Sequence, residues 1–381
     1  MEVLEGSSLA TDADHAVAEA VGAWPPASAP DLILVFSSPV RPAATVARAL
    51  AARFPAAQVV GCTTAGEHLS GAHSNGGLVV TGIASPKLRW STALIEDLAT
   101  VDEAGVRAVV DGLFARLGVD RASFDPRRYF CLFFVDGLSG AEERVTPLVA
   151  DALDGISLIG GSAGDDLAFR HTEVICGDRA VGGAAVLALC ETALAFQIIK
   201  HQHFVTTARS LAITKADVAG RRVYEIDGQP AAVAYARALG VPRDQLSDAL
   251  TFENPLAFQF QHQLYVRSIQ KIHDDHSISF YCAIEEGMVV DIGGHEELVP
   301  ALAAELSNAA GARPFDLVIG SNCILRALET DGRKAHGEVG GLFQKFSKHM
   351  IGFDTYGEQL DGLHINQTLV ALALRDNEEA A

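Results

Sequence analysis

The residues best equipped for chemistry lie close together near the C-terminal end, in GFDTYGEQLDGLHINQ (352–367). This stretch carries Thr355, Tyr356, Glu358, Gln359, His364 and Asn366, spaced among Gly352, Gly357 and Gly362. Hydroxyls, amides, a carboxylate and an imidazole can together grip a polar ligand, or serve as acid and base. The glycines let the backbone fold back on itself. That would turn Thr355, Glu358, Gln359 and Asn366 into a pocket, with the apolar run from Ile365 anchoring the far end. The competing reading is an elaborate turn, in which the same groups bond the backbone.

The loop is one of three. VVGCTTAGE (59–67), LIGGSAGDD (158–166) and MIGFDTYGE (350–358) share the order apolar, Gly, Thr or Ser, Gly, acid. Each follows an apolar strand pattern (DLILVFSSP at 31–39, YFCLFFVDGLSG at 129–140, DLVIGSNCILRALE at 316–329) with helix-like sequence between, and an apolar run follows each. The spacing predicts duplicated α/β units with mixed sheets. Strand, helix and strand in succession favour parallel pairing. Loops at the carboxyl ends of such strands are where ligands bind in open α/β sheets. Glu67, Asp165 and Glu358 are then acid or base candidates, or simply partners for backbone amides.

The middle of the chain breaks the pattern. RRVYEIDGQPAAVAYARALG (221–240) reads as strand, turn and helix, with Pro230 near the helix start. LYVRSIQKI, SISFYCAI and MVVDIG alternate as antiparallel strands do. The expected division is an N-terminal extension (1–29), a first domain (30–220) and a second (221–376), with the antiparallel strands in the middle of the second. HDDH (273–276) has metal-ligand residue types but sits between two strands, where a charged hairpin turn is expected.

Composition narrows the partners. The formal net charge is -19, which opposes nucleic acid and anionic lipid. It favours a salt-sensitive meeting with a more basic protein surface. Six cysteines without a CxxC pair imply a reducing compartment. No signal-peptide core opens the chain, and the apolar stretch 180–199 is interrupted by Gly182, Gly183, Glu191 and Thr192. It reads as two strands rather than a membrane span, so a cytoplasmic protein is expected.

VVGCTTAGE, LIGGSAGDD, YEIDGQPAAVAYARALG and GFDTYGEQLDGLHINQTLVALAL together resemble the FIST family over roughly residues 30–375. That family pairs FIST N and FIST C domains as a sensory input module for small ligands in signal transduction. The resemblance implies a sensor, and with no kinase, cyclase or F-box segment read in this sequence a stand-alone one is expected. Within the family, KHQHFVTTARSLAITKADVAGRRVYEIDGQPA (200–231) and TYGEQLDGLHINQT look like the bacterial nitric-oxide-sensing haemoproteins (the NosP subgroup). This implies haem b, nitric oxide as ligand, and a partner histidine kinase or cyclic-di-GMP enzyme. A homodimer stays open.

For such a haem, His203 and His364 are the axial candidates. Phe204, Tyr356 and Leu363 would line the slot, and Lys200 or Arg209 would meet a propionate. Two other readings stand beside it: a FIST sensor holding a small polar metabolite such as an amino acid, without haem, and a hydrolase or transferase on the duplicated scaffold. Neither a P-loop nor a GxSxG elbow supports the last.

Overall fold

A computed structural model of the chain describes residues 1–260 and 263–376. The first repeat runs β1 (Glu2–Ser8), α1 (Ala13–Ala20), β2 (Leu32–Ser37), α2 (Ala43–Arg53), β3 (Gln58–Thr63), β4 (Glu67–Leu69), β5 (Ala72–Ser74) and β6 (Leu78–Ala84). The second runs β7 (Leu88–Ile95), α3 (Glu103–Leu117), β8 (Tyr129–Val135), α4 (Glu142–Leu153), β9 (Ser157–Ser162), β10 (Val174–Cys176), β11 (Arg179–Val181) and β12 (Ala185–Thr192). A third opens with β13 (Ala195–His201).

The third repeat is then interrupted. The inserted elements are β14 (Phe204–Asp217), β15 (Arg222–Ile226), β16 (Gln229–Pro230), α5 (Ala231–Leu239), α6 (Asp248–Glu253), β17 (Leu256–Phe260), β18 (Gln263–Arg267), β19 (Ile269–Ile272), β20 (Ile278–Phe280) and β21 (Val289–His295). It resumes with α7 (Leu298–Ala310), β22 (Leu317–Cys323), α8 (Ile324–Gly332), α9 (His336–Phe346), β23 (Met350–Thr355), β24 (Glu358–Leu360), β25 (Leu363–Ile365) and β26 (Leu369–Arg375).

The expected repeated α/β unit is present in three copies, one for each signature loop. In each copy two strands pair in parallel across a helical crossover: β2 with β3, β8 with β9, β22 with β23. The last strand of each copy returns antiparallel on the first: β6 on β2, β12 on β8, β26 on β22. All six residues of β2 and all seven of β8 are buried, as in strands covered on both faces. The three signature loops follow β3, β9 and β23, as expected.

The short hairpins do not stay at home. β4–β5 of the first copy pairs with β23 of the third. β10 of the second pairs with β3 of the first, and β24 of the third with β9 of the second. Each sheet is thus completed by a hairpin from another copy. One ring from each sheet meets at the centre: Phe36 lies 5.3 Å from Phe134 and 4.5 Å from Phe353, and Phe134 lies 5.7 Å from Phe353. The first glycine of each signature serves close strand approach. A Cβ at Gly61, Gly160 or Gly352 would come within 1.7, 1.8 or 2.6 Å of a carbonyl oxygen on the neighbouring strand.

In space the chain divides differently from its sequence. One compact unit comprises 1–200, 305–364 and the chain from Leu369 onward; the other comprises 201–304 with 365–368. Residues 1–29, set apart by sequence as an extension, supply β1 and α1 of the first repeat. The second unit is an antiparallel sheet, order β18-β17-β21-β14-β15-β20-β19 with β16 on β15, and it packs α5 through Ala231, Ala234 and Tyr235. Residues 273–276 form the expected turn between β19 and β20.

Candidate functional site

Most polar groups of the opening loop are buried and used. The Thr355 hydroxyl reaches the carbonyls of Ser162 (2.8 Å) and Gly357 (2.7 Å). Tyr356 donates to Asp165 at 2.5 Å, accepts from the Leu167 amide and stacks on Phe169. Gln359 donates to Ser162 Oγ (3.0 Å) and to His364 Nδ1 (2.9 Å), while its carbonyl accepts from Thr146 (2.9 Å). Those three contacts fix the amide orientation and make Nδ1 of His364 an acceptor. Glu358 is fully buried on β24, opposite Gly161. These residues knit β24–β25 to β9.

The loop carboxylates of the other two copies behave similarly. Asp165 accepts from the amides of Phe169, Arg170 and His171. Burial works to raise it, but Tyr356 and those amides hold it below the ordinary value. Glu67 accepts from Thr64 (2.6 Å) and the Gly77 amide (2.7 Å), and burial still pushes it to about 7.

The remaining haem candidates sit elsewhere. His203 and Phe204 are buried in the second unit with ring centroids 4.6 Å apart, and the His201 ring lies parallel to His203 at 6.4 Å. Arg209 is exposed and donates to the Ala238 carbonyl. Asn366 belongs to the segment assigned to the second unit and is buried. Lys200, at the end of β13, is half-buried, and desolvation lowers it to about 8.

The structure assembles a cluster that sequence reasoning missed. His68 on β4 and His73 on β5 are cross-strand partners. Their Nε2 atoms converge on one carboxylate: His68 meets Asp354 Oδ1 at 2.8 Å, and His73 meets Asp354 Oδ2 at 2.9 Å. Burial works to raise Asp354, but His68 and His73 outweigh it and hold it well below the usual range. Asn322 of β22 donates to Asp354 Oδ1 (2.7 Å) and accepts from Arg326 Nε (3.1 Å). Arg326 is itself buried, and desolvation lowers it to about 10. His336, at the start of α9, stacks on His73 at 4.1 Å and is bonded to Asp331 at 2.7 Å. Gly66 makes the cluster possible, since a Cβ there would lie 2.3 Å from Asp354 Oδ2 and 3.0 Å from His73 Nε2.

A cavity of about 400 Å³ opens over this cluster. His73, Asn75, Asp166, Asp331 and Asp354 supply its polar wall, and Leu167, Ile324 and Leu328 its apolar one. The size falls within the range of small-molecule sites.

A signal for the cluster was present. GEHLSGAHSN (66–75) matches GEQLDGLHIN (357–366) at Gly, Glu, Leu, Gly, His and Asn, with His68 standing where the third copy has Gln359. Extending the comparison of the loops past their shared acid would have exposed His68 and His73.

Triplicated α/β sheets with exchanged hairpins and an inserted antiparallel sheet define the architecture. Two family models match this chain, the FIST N domain over residues 31–229 and the FIST C domain over residues 231–361. The chain belongs to the FIST family, whose domains mark ligand sensors of signal transduction. None of the curated proteins matches it. Among the described residues, no helix is long and apolar enough to cross a membrane.

Proposed function

We propose that this FIST protein senses a small polar metabolite carrying a cationic group, an amino acid or amine, held in the cavity over His73 and Asp354. The observation behind this reading is the lining. Asp166, Asp331 and Asp354 surround a space of about 400 Å³ together with Asn75 and His73. Carboxylates drawn together in a partly dry cleft favour a positive ligand group. Asn75 and His73 add orienting hydrogen bonds, and Leu167 and Leu328 give an apolar rim. The family, whose domains mark ligand sensors of signal transduction, supports sensing as the role of this cavity. The signal passes to a signalling protein through the surface, and the acidic balance favours a basic partner.

A thermal-shift screen of amino acids and amines tests this. A hit should stabilise the wild type and lose its effect in Asp331→Asn and Asp166→Asn. Glu358→Ala, off the cavity wall, should keep it. A hit equally strong in all three variants would place the ligand elsewhere.

The resemblance of 200–231 and of the closing loop to the nitric-oxide-sensing subgroup favours a second reading, haem b with nitric oxide as ligand and a histidine kinase or cyclic-di-GMP enzyme as partner. His203 suits it by type and burial, since it is 2% exposed beside Phe204. Bound haem would supply an iron that takes up the gas. His364 suits it less, because Gln359 holds its Nδ1 and a Cβ at Gly357 would come within 2.7 Å of its Nε2. An absorption spectrum after haem addition decides: a Soret band lost in His203→Ala supports haem, and a colourless wild type rejects it.

A further inference from the structure

From the convergence of two imidazoles on one carboxylate beside an open cavity, we infer that His68, His73 and Asp354 form a binding site for a first-row divalent metal ion. The ligand atoms, one from each residue, all lie within 4.8 Å of one another. Four ligands about 2.0–2.1 Å from a tetrahedral ion are themselves about 3.4 Å apart. The imidazole nitrogens already sit 2.8 and 2.9 Å from the carboxylate oxygens. Small side-chain movements would therefore admit the ion, with loss of the protons that now occupy those contacts.

Two nitrogens and a carboxylate select zinc, iron, cobalt, nickel, copper or manganese over calcium or magnesium. The surroundings have the form of a supporting shell. Asn322 ties Asp354 to Arg326, and His336 holds the His73 ring face to face. His73 and Asp354 also line the cavity, so coordination positions on that side would stay open to water or to a donor atom of a ligand. The site stands whether or not the cavity takes an amino acid.

The repeat supplies an internal control. At the equivalent place in the third copy, Gln359, His364 and Ser162 make a neutral hydrogen-bonded link. Registers confirm the equivalence: His68 lies opposite Gly352 as Gln359 lies opposite Gly160. Holding a hairpin on its sheet therefore needs an amide and a hydroxyl, not a second imidazole and an ionised carboxylate. What the first hairpin carries beyond that requirement is a ligand set.

The test is a titration of full-length protein, stripped with chelator, with Co²⁺ and Zn²⁺ by calorimetry and visible absorption. One equivalent should bind, with Co²⁺ ligand-field bands, and Zn²⁺ should raise Tm. His68→Gln installs the residue of the sister hairpin and should keep the metal-free Tm while losing affinity about 100-fold or more; His73→Ala should do the same to affinity. His349→Ala, at the separate His349–Glu5 pair, should bind as wild type. Absence of binding to the stripped wild type, or unchanged binding in both His68→Gln and His73→Ala, would overturn the assignment. Failure of every amino acid to shift Tm would leave this result standing and sink only the cavity reading.

Discussion

His73 and His364 occupy the same place in two copies of one hairpin, each seven residues beyond the glycine that precedes the loop acid, yet they meet different partners. His73 faces the Asp354 carboxylate on one edge of a cavity, whereas His364 faces the Gln359 amide in a packed interior. Identical local sequence logic gives one imidazole for chemistry and one for structure. The strand onto which the hairpin is exchanged decides which is which. Asp354 stands at the end of β23, and the corresponding position of β9 is Ser162.

His364→Ala should therefore act on stability alone. It empties a buried ring volume and removes the acceptor of one Gln359 N–H. Together these should cost about 2–4 kcal/mol. Urea denaturation would measure the loss, and Co²⁺ affinity should stay at the wild-type level. A variant as stable as wild type would contradict the structural role.

Gly66→Ala probes the other hairpin. Its Cβ would come 2.3 Å from Asp354 Oδ2, so the carboxylate or the hairpin must move, and φ of +154° adds strain. A loss of about 1–3 kcal/mol is expected, together with weakened metal binding. If both stability and Co²⁺ affinity survive, the packing described around Asp354 is wrong.

Much of this fold was readable from the chain. The strand–helix–strand pattern and its glycine loops are local features, set by apolar runs and by close strand approach. Antiparallel strands in 264–293 were equally plain. The exchange of hairpins was not, because β4, β10 and β24 are three residues each and nothing local says which sheet they complete. The site depends on that exchange, since His68 and Asp354 are 286 residues apart. The sequence marks Thr355 and Gln359 as ligand-gripping groups of a glycine-rich loop; in the fold both are buried. Their partners, Ser162 and Thr146, turn them toward packing in a way no sequence window displays.

Lys200 should leave a mark on the pH dependence of stability. Burial lowers it from 10.5 to about 8, so between those values the unfolded chain binds more protons than the folded one. Its contribution to stability therefore rises with pH from about 8 to 10.5, and at pH 7 the charged amine opposes folding. Lys200→Met should be more stable than wild type at pH 7, and the difference should shrink toward pH 10. Chemical denaturation of both proteins at the two pH values checks the sign. A difference that grows with pH would mean that Lys200 is stabilised in its charged form instead.

The last expectation concerns residues 1–200 expressed alone. Sequence treats most of this stretch as a domain, but one of its two sheets is finished by the third repeat, and its β4–β5 hairpin pairs only there. Without β23, the β4–β5 hairpin loses the strand it pairs with, and without β24, β9 becomes an open edge of largely buried residues. Phe36 and Phe134 also lose Phe353, the third ring of their cluster. An uncovered apolar edge is a template for association. The fragment should therefore elute as aggregate on size exclusion and show no sharp urea transition, whereas the full chain unfolds its triplicated unit cooperatively. A monomeric 1–200 fragment with a sharp transition would show that the exchanged hairpins are ornaments on a self-sufficient domain, and would remove the reason for placing Asp354 beside His68 and His73 through folding rather than through ligand binding.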